Sequence, residues 1–321
     1  MAEKSNLEPI LAFMPGMIKV GLNCFLVAIF IAAFSLCAQA QTLESIETDL
    51  LALETQLGET PSDVKRSEAS DQIKAKLLKA FKKEDCFDYP FDQLLRIATL
   101  KSSDNFFRFF NWQIPQMDGS SRYECLILLS GGKSHTELID SQTPSDKLIG
   151  KTLMPDSWYG CLYYDIQVTE SKQGKTYTLL GWDAADELIT RKVIDALVFG
   201  KGNQVELGAP IFELDDKKVF RRVFTYSEEV VMTLRYIAPK KAIVFDHLTP
   251  VQSSLDGNYA FYGPSDSFDA YQWNASTGTW VLFENFDMAR PKSYDEKPQF
   301  NFPSRPDLSR SRDTINPLIG K

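Results

Sequence analysis

Residues 230–248 read VVMTLRYIAPKKAIVFDHL, and this stretch decides the class of fold. Two runs of aliphatic, β-branched and aromatic residues, Val230–Ile237 and Ala242–Leu248, flank Pro239-Lys240-Lys241. Each run is too short for a stable helix, its residue types suit strands, and the proline and lysines between them mark a turn. An antiparallel hairpin is expected here.

The same texture extends outward, from about Leu94 to residue 290. Strands are expected at Asn105–Ile114, Tyr123–Leu129, Tyr159–Val168 and Thr176–Trp182. Others are expected at Lys192–Phe199, Val219–Tyr226, Ala270–Trp273 and Thr279–Glu284. Turn residues separate them at Gln173-Gly174-Lys175, Gly200–Asn203, Asp215-Asp216-Lys217, Ser227-Glu228-Glu229, Asp256-Gly257-Asn258 and Asn274–Gly278. Short strands spaced by about 8–12 residues imply an antiparallel meander or sandwich. A β-propeller is the alternative, although no repeat of about 40–50 residues is visible. No glycine-rich helix start of a βαβ unit occurs.

Two helices are expected before this body, so the fold class is mainly β (α+β). Leu43, Ile46, Leu50, Leu53 and Leu57 recur at three and four residues and form one apolar stripe. Thr42 can cap that helix and Gly58 can stop it. Thr60-Pro61-Ser62 breaks the chain. A second helix, from about Ser67 to Lys82, carries Ile73, Leu77, Ala80 and Phe81 on one side and lysines on the other. Both stripes suit packing against the body or each other; fewer than three heptads make a coiled-coil partner helix weak.

The organisation expected is therefore residues 1–40 as a leader, 41–93 as a helical segment, 94–290 as the β-rich domain and 291–321 as an extended or disordered tail. The tail carries Pro291, Pro298, Pro303, Pro306 and Pro317, with Arg305, Arg310 and Arg312 making it locally basic. The leader reads as an export signal. Lys19 precedes the apolar run Val20–Leu36, and Ala38-Gln39-Ala40 supplies the small residues of a cleavage site before Gln41. Met17 is a better start than Met1, because Glu3 and Glu8 do not suit the basic opening of a signal. An uncleaved anchor is the rival reading, but a span needs about 20 apolar residues and this run contains Asn23. A lipoprotein would need a small residue where Leu36 precedes Cys37.

Composition limits the function. The net charge is −8, unchanged when residues 1–40 are removed, and no basic stripe interleaved with aromatics appears. Nucleic-acid binding is not expected. Apolar content of 44% argues against general disorder, and the roughly 280 residues beyond Ala40 can bury one large core or two modest ones. Cys86, Cys125 and Cys161 remain past the leader. One pair could bridge, with Cys125 and Cys161 the better placed, or all three could be buried thiols. No C-x-x-C is present.

Chemical motifs are weak. Gly131-Gly132-Lys133-Ser134 ends like a phosphate loop, but Ile127 stands where that pattern needs glycine, so a hairpin turn is expected. His135 and His247 are the two histidines, which excludes a three-histidine zinc site. Asp246-His247 is the most tempting pair. Side chains alternate along a strand, so these neighbours face opposite ways and each would need a distant partner on its own face. No G-x-S-x-G elbow occurs. Asp183, Asp186, Asp215, Asp216, Asp266 and Asp269 fit turn chemistry better than a paired-carboxylate site, and Ser265–Asp269 lacks the ligand spacing of an EF-hand. Aromatics gather near the C-terminus. Tyr271, Trp273 and Trp280 are the candidate ligand platform, though Trp273 and Trp280 also suit an ordinary cross-strand pair. No cofactor and no metal is expected.

Thr178–Asp183, Arg191–Leu197 and Ile243–Leu248 together resemble uncharacterised exported proteins of Bacteroidetes-type bacteria, over about residues 94–290. The resemblance implies export and a β-rich body and transfers no site residue. The function expected is a periplasmic or cell-surface protein, non-enzymatic, that binds a protein or glycan partner and meets the membrane only through its leader. The alternative is a hydrolase of glycans or esters in which His247 moves protons with Asp183 or Asp246 assisting.

Overall fold

A computed structural model describes residues 41–287, apart from 133 and 144. The leader, with its apolar run and the choice between Met1 and Met17, lies outside the described residues, as does the proline-rich tail 291–321. The described residues from Leu43 to Asp287 belong to one compact unit.

Two helices open that unit, α1 (Leu43–Glu59) and α2 (Asp63–Ala80). Strands follow as β1 (Ile97–Ala98), β2 (Phe107–Pro115), β3 (Ser121–Leu129) and β4 (His135–Ile139). Next come β5 (Leu162–Ser171), β6 (Gly174–Asp183), β7 (Ile189–Phe199) and β8 (Val205–Leu207). Then come β9 (Phe212–Leu214), β10 (Lys217–Val219), β11 (Arg222–Ser227) and β12 (Leu234–Ile237). The last are β13 (Ala242–Pro250), β14 (Tyr262–Asn274) and β15 (Thr279–Phe283). They form three open sheets in the orders β1-β2-β3-β4, β11-β7-β6-β5 with β8 on the far end of β7, and β10-β9-β15-β14-β13-β12. Between the named strands all ladders are antiparallel except one parallel pairing, Trp280 with Phe212; an isolated parallel bridge also joins Asp140 and Trp158. The sheets neither close into a barrel nor repeat as propeller blades, which removes that alternative.

Alternation along the strands sets the order of layers. In β2, Phe110, Trp112 and Ile114 pack on the helices, while Phe107 and Phe109 turn the other way onto the second sheet. In β6 and β7 both faces are apolar: Leu179 and Val193 face the first sheet, Leu180 and Ile194 the third. The second sheet is therefore buried on both sides, and its strands carry adjacent apolar residues instead of strict alternation. The layers run helices, first sheet, second sheet, third sheet.

The helical stripe lies where the spacing placed it, with Leu43, Ile46, Leu50, Leu53 and Leu57 all buried. Each fully buried leucine contributes about 1.5–3 kcal/mol. Buried acids fasten the same helix: Glu47 accepts from the Tyr89 hydroxyl at 2.6 Å and Glu54 from the Leu95 and Arg96 amides at 2.9 and 3.0 Å. Gly58 does not stop α1, which runs to Glu59. It leaves room for Arg96, whose Cζ would lie 2.6 Å from a Cβ there. The second helix begins earlier than its apolar stripe suggests, because Ser62 caps it by accepting from the Lys65 amide. Cys86, Cys125 and Cys161 are free, buried thiols, each pushed above its ordinary pKa by burial.

The founding hairpin forms, but β12 starts at Leu234, four residues later than Val230. The Asp246 carboxylate accepts from the Thr233 amide at 2.6 Å and ends the ladder there, so Val230 and Val231 leave the sheet as an exposed loop. The run Val219–Tyr226 is likewise divided. Between β10 and β11 the chain breaks at Arg221, whose side chain turns fully inward.

Candidate functional site

His247 sits where the β13–β14 ladder is irregular. Asp246 pairs with Phe268 and Leu248 with Pro264, so Ser265-Asp266-Ser267 bulges out opposite the histidine. Its Nδ1 lies 2.8 Å from Asp269 Oδ2, and the histidine side chain is 46% exposed while that of Asp269 is 11% exposed. A carboxylate only accepts, so Nδ1 carries the proton and Nε2 is left for exchange with solvent or a ligand. Asp269 is held in turn by the Asn285 amide at 3.0 Å. The partner of His247 is thus a residue that the sequence placed in a turn; it lies in β14. Asp246 is buried and used by Thr233, as alternation along the strand requires.

Asp183 belongs to a different layer. Between the first and second sheets its carboxylate meets the hydroxyls of Tyr123 (3.2 Å) and Tyr159 (3.4 Å) and Nη1 of Arg191 (3.0 Å). Asp140 lies in the same seam, accepts from the Tyr123 and Gln142 amides, and is pushed up to about 6 by burial, with the charge of Asp183 adding to the effect. Deeper in the seam, Asp195 and Arg221 are wholly buried and paired at 3.2 Å. Arg221 also donates to the carbonyls of Leu148, Lys151 and Leu207, and Tyr163 donates to Asp195 at 3.3 Å. These are matched interior groups that join two sheets.

The candidate aromatics divide. Trp280 is buried and its Nε1 donates to Thr178 Oγ1 at 2.8 Å, across the second and third sheets. Tyr271 is buried, donates to the Glu213 carbonyl at 3.0 Å and accepts from Arg222 at 2.7 Å. Trp273 is partly exposed, packs edge-on against Trp280 with ring centroids 5.4 Å apart, and donates to the Glu170 carbonyl. Together they join the third sheet to the second.

A surface feature that no sequence motif marks lies at one end of these sheets. Three loops meet there: 184–188 after β6, 228–233 after β11 and 251–261 after β13. The Glu228 amide donates to the Leu188 carbonyl at 3.0 Å, and Thr190 bonds the Glu228 carboxylate. The Tyr259–Phe261 turn packs beside β11, and Val230 lies against Gly263. From this end project Leu188, Val231, Val251, Tyr259 and Phe261, with Val231 88%, Val251 69% and Leu188 67% exposed. Scattered exposed apolar residues are ordinary; such a concentration on adjoining loops marks a contact surface.

No family model matches this chain, and no curated protein or solved structure matches it.

The remaining features are less specific. A groove of ≈ 700 Å³ beside the β9–β10 hairpin is lined by both signs of charge, Glu213, Asp215, Asp216 and Glu284 against Lys217 and Lys218. Lys192 is buried over the Tyr164 ring at 4.7 Å, and burial pushes its ammonium down to about 7. Gly131 and Gly132 both have positive φ and form the turn between β3 and β4. Among the described residues no group of three or more His, Cys, Asp or Glu could hold a metal ion, and no helix is long and apolar enough to cross a membrane. His247 could be proposed from sequence; Asp269 could not, because their meeting depends on the register of β13 against β14. The loop surface was hinted at by Val230-Val231 and by Tyr259 and Phe261, residues that read as a strand and as part of an aromatic cluster.

Proposed function

We propose that this chain is an exported binding protein of the periplasm or cell surface, and that its partner sits on the loop end of the stacked sheets. One observation carries the reading: Leu188, Val231, Val251, Tyr259 and Phe261 are exposed together on loops tied to one another by hydrogen bonds and packing. Export is supported by the apolar run Val20–Leu36 with Ala38-Gln39-Ala40 behind it, and by the resemblance to exported Bacteroidetes-type proteins. A photoreactive residue placed at position 231 is expected to give a discrete cross-linked adduct in cells that produce the chain. The same residue at Leu95, exposed on the segment that packs against α1, is expected to give none. Equal yields at both positions would contradict the reading.

The 2.8 Å contact between His247 and Asp269 supports a second reading, hydrolysis with His247 as the proton carrier. Under the binding reading, His247→Ala keeps the adduct at position 231, and neither it nor the parent chain turns over glycan or ester panels. Turnover by the parent that His247→Ala loses would favour the hydrolase.

A further inference from the structure

We infer that the partner of the loop end is a cationic, apolar polypeptide segment. This rests on the reading above, that the loop end is the contact surface. The three loops, residues 184–188, 228–233 and 251–261, contain no lysine and no arginine. They carry Asp186, Glu187, Glu228, Glu229 and Asp256, and Asp266 stands exposed on the β14 bulge beside His247. In a chain with 35 basic residues, loops that carry five acids, no lysine or arginine and apolar tips form a segregated surface, with Arg191 behind them paired to Asp183.

That segregation selects among partner chemistries. An anionic lipid surface or a nucleic acid would meet like charge around every apolar contact, which costs affinity and slows encounter. A neutral glycan would use stacking faces and hydrogen-bond donors, whereas Val231, Val251 and Leu188 offer aliphatic branches. A segment with leucine- or phenylalanine-like anchors flanked by lysine or arginine satisfies both features. Its apolar residues cover the tips, its cations meet the rim, and the rim charges raise the rate of encounter.

The test uses the chain from Gln41 onward together with its tail, and three synthetic peptides that share leucine and phenylalanine anchors. One carries lysines between the anchors, one glutamates and one serines. Binding is read by fluorescence anisotropy, and the site by photo-cross-linking from position 231. The lysine peptide is expected to bind and to cross-link from position 231. It should weaken about tenfold or more between about 50 and about 500 mM salt. Glu229→Lys combined with Asp266→Lys, both exposed, should weaken it by about tenfold more. Val231→Asp, read by anisotropy in the chain without the photoreactive residue, should weaken binding of the lysine peptide by about tenfold or more.

Cross-linking of the serine peptide from position 231 as strong as that of the lysine peptide would overturn the cationic partner while leaving the loop end as the contact surface. Binding of the glutamate peptide, or of phosphatidylglycerol vesicles, would overturn it in the same way. Binding of the lysine peptide without any adduct at position 231 would overturn it too, and would count against the loop end itself. Circular dichroism of both variants separates lost binding from lost folding.

Discussion

The seam between the first and second sheets and the loop end of the molecule break the usual partition of residues in opposite directions. The seam is interior yet polar: Asp183, Asp195 and Arg221 lie inside with Asp140 half-buried beside them, and each meets a hydrogen-bond partner in the chain. The loop end is exterior yet apolar, with Val231, Val251 and Leu188 projecting into solvent. Burying a charge is costly unless it is paired, so the seam persists only because its partners are supplied within the fold. Exposed aliphatic groups impose no such demand on the fold, and their partner can come from outside. An internal match indicates structure, and an external mismatch indicates function.

The largest test of that contrast is in the seam. Arg221→Met leaves Asp195 buried without its counter-charge, and should lower stability by about 3–5 kcal/mol, read as a shift in the denaturant midpoint. Adding Asp195→Asn removes the stranded charge while preserving an acceptor for Tyr163. The double variant should therefore be more stable than Arg221→Met alone. If the double variant is the worse of the two, the seam is not held as described.

A moderate effect is expected with pH. Burial raises Asp140 to about 6 in the folded chain, above its ordinary value near 4, so the folded state binds more protons between those values. The contribution of Asp140 is fully present below about pH 4 and is lost as the pH rises through about 6. Denaturant midpoints measured across that window should show this component, and Asp140→Asn should flatten it. An unchanged slope in the variant would remove Asp140 as its source.

The smallest effect belongs to the loop end. Val231→Ser should change stability by no more than about 0.5 kcal/mol, since a side chain that touches solvent gives up little on truncation. A loss of several kcal/mol would mean that Val231 packs inside the fold, and the contrast between the two regions would collapse.

Much of this architecture was legible in the sequence, for physical reasons that differ by element. The stripe from Leu43 to Leu57 is a local pattern, and one buried face is enough to produce it. The strands of the second sheet were legible because burial on both faces makes them dense in apolar residues. The first part of β14 was not. Tyr262–Asp269 reads as loop because of Gly263, Pro264, Ser265 and Asp266, yet Tyr262–Pro264 pairs with β13. Pro264 is tolerated there because β15 joins β14 only from Ala270 onward, leaving that edge without a ladder to serve. The pair His247–Asp269 was hidden for the same reason, since it depends on a register set by a bulge. Arg221 was hidden because it reads as one more residue of a single strand, Val219–Tyr226, until its break from the ladder and its buried partners are known.

The loop end tests the account most directly when the chain is in its native setting. Hydroxyl-radical footprinting of Tyr259 and Phe261, referenced to Phe283 on the β15 edge, can be compared between the purified chain and intact cells that produce it. The account predicts strong labelling of all three in the purified chain, and a fall at Tyr259 and Phe261 relative to Phe283 in cells. The same ratio in both states would show that nothing covers the loop end and would contradict the account.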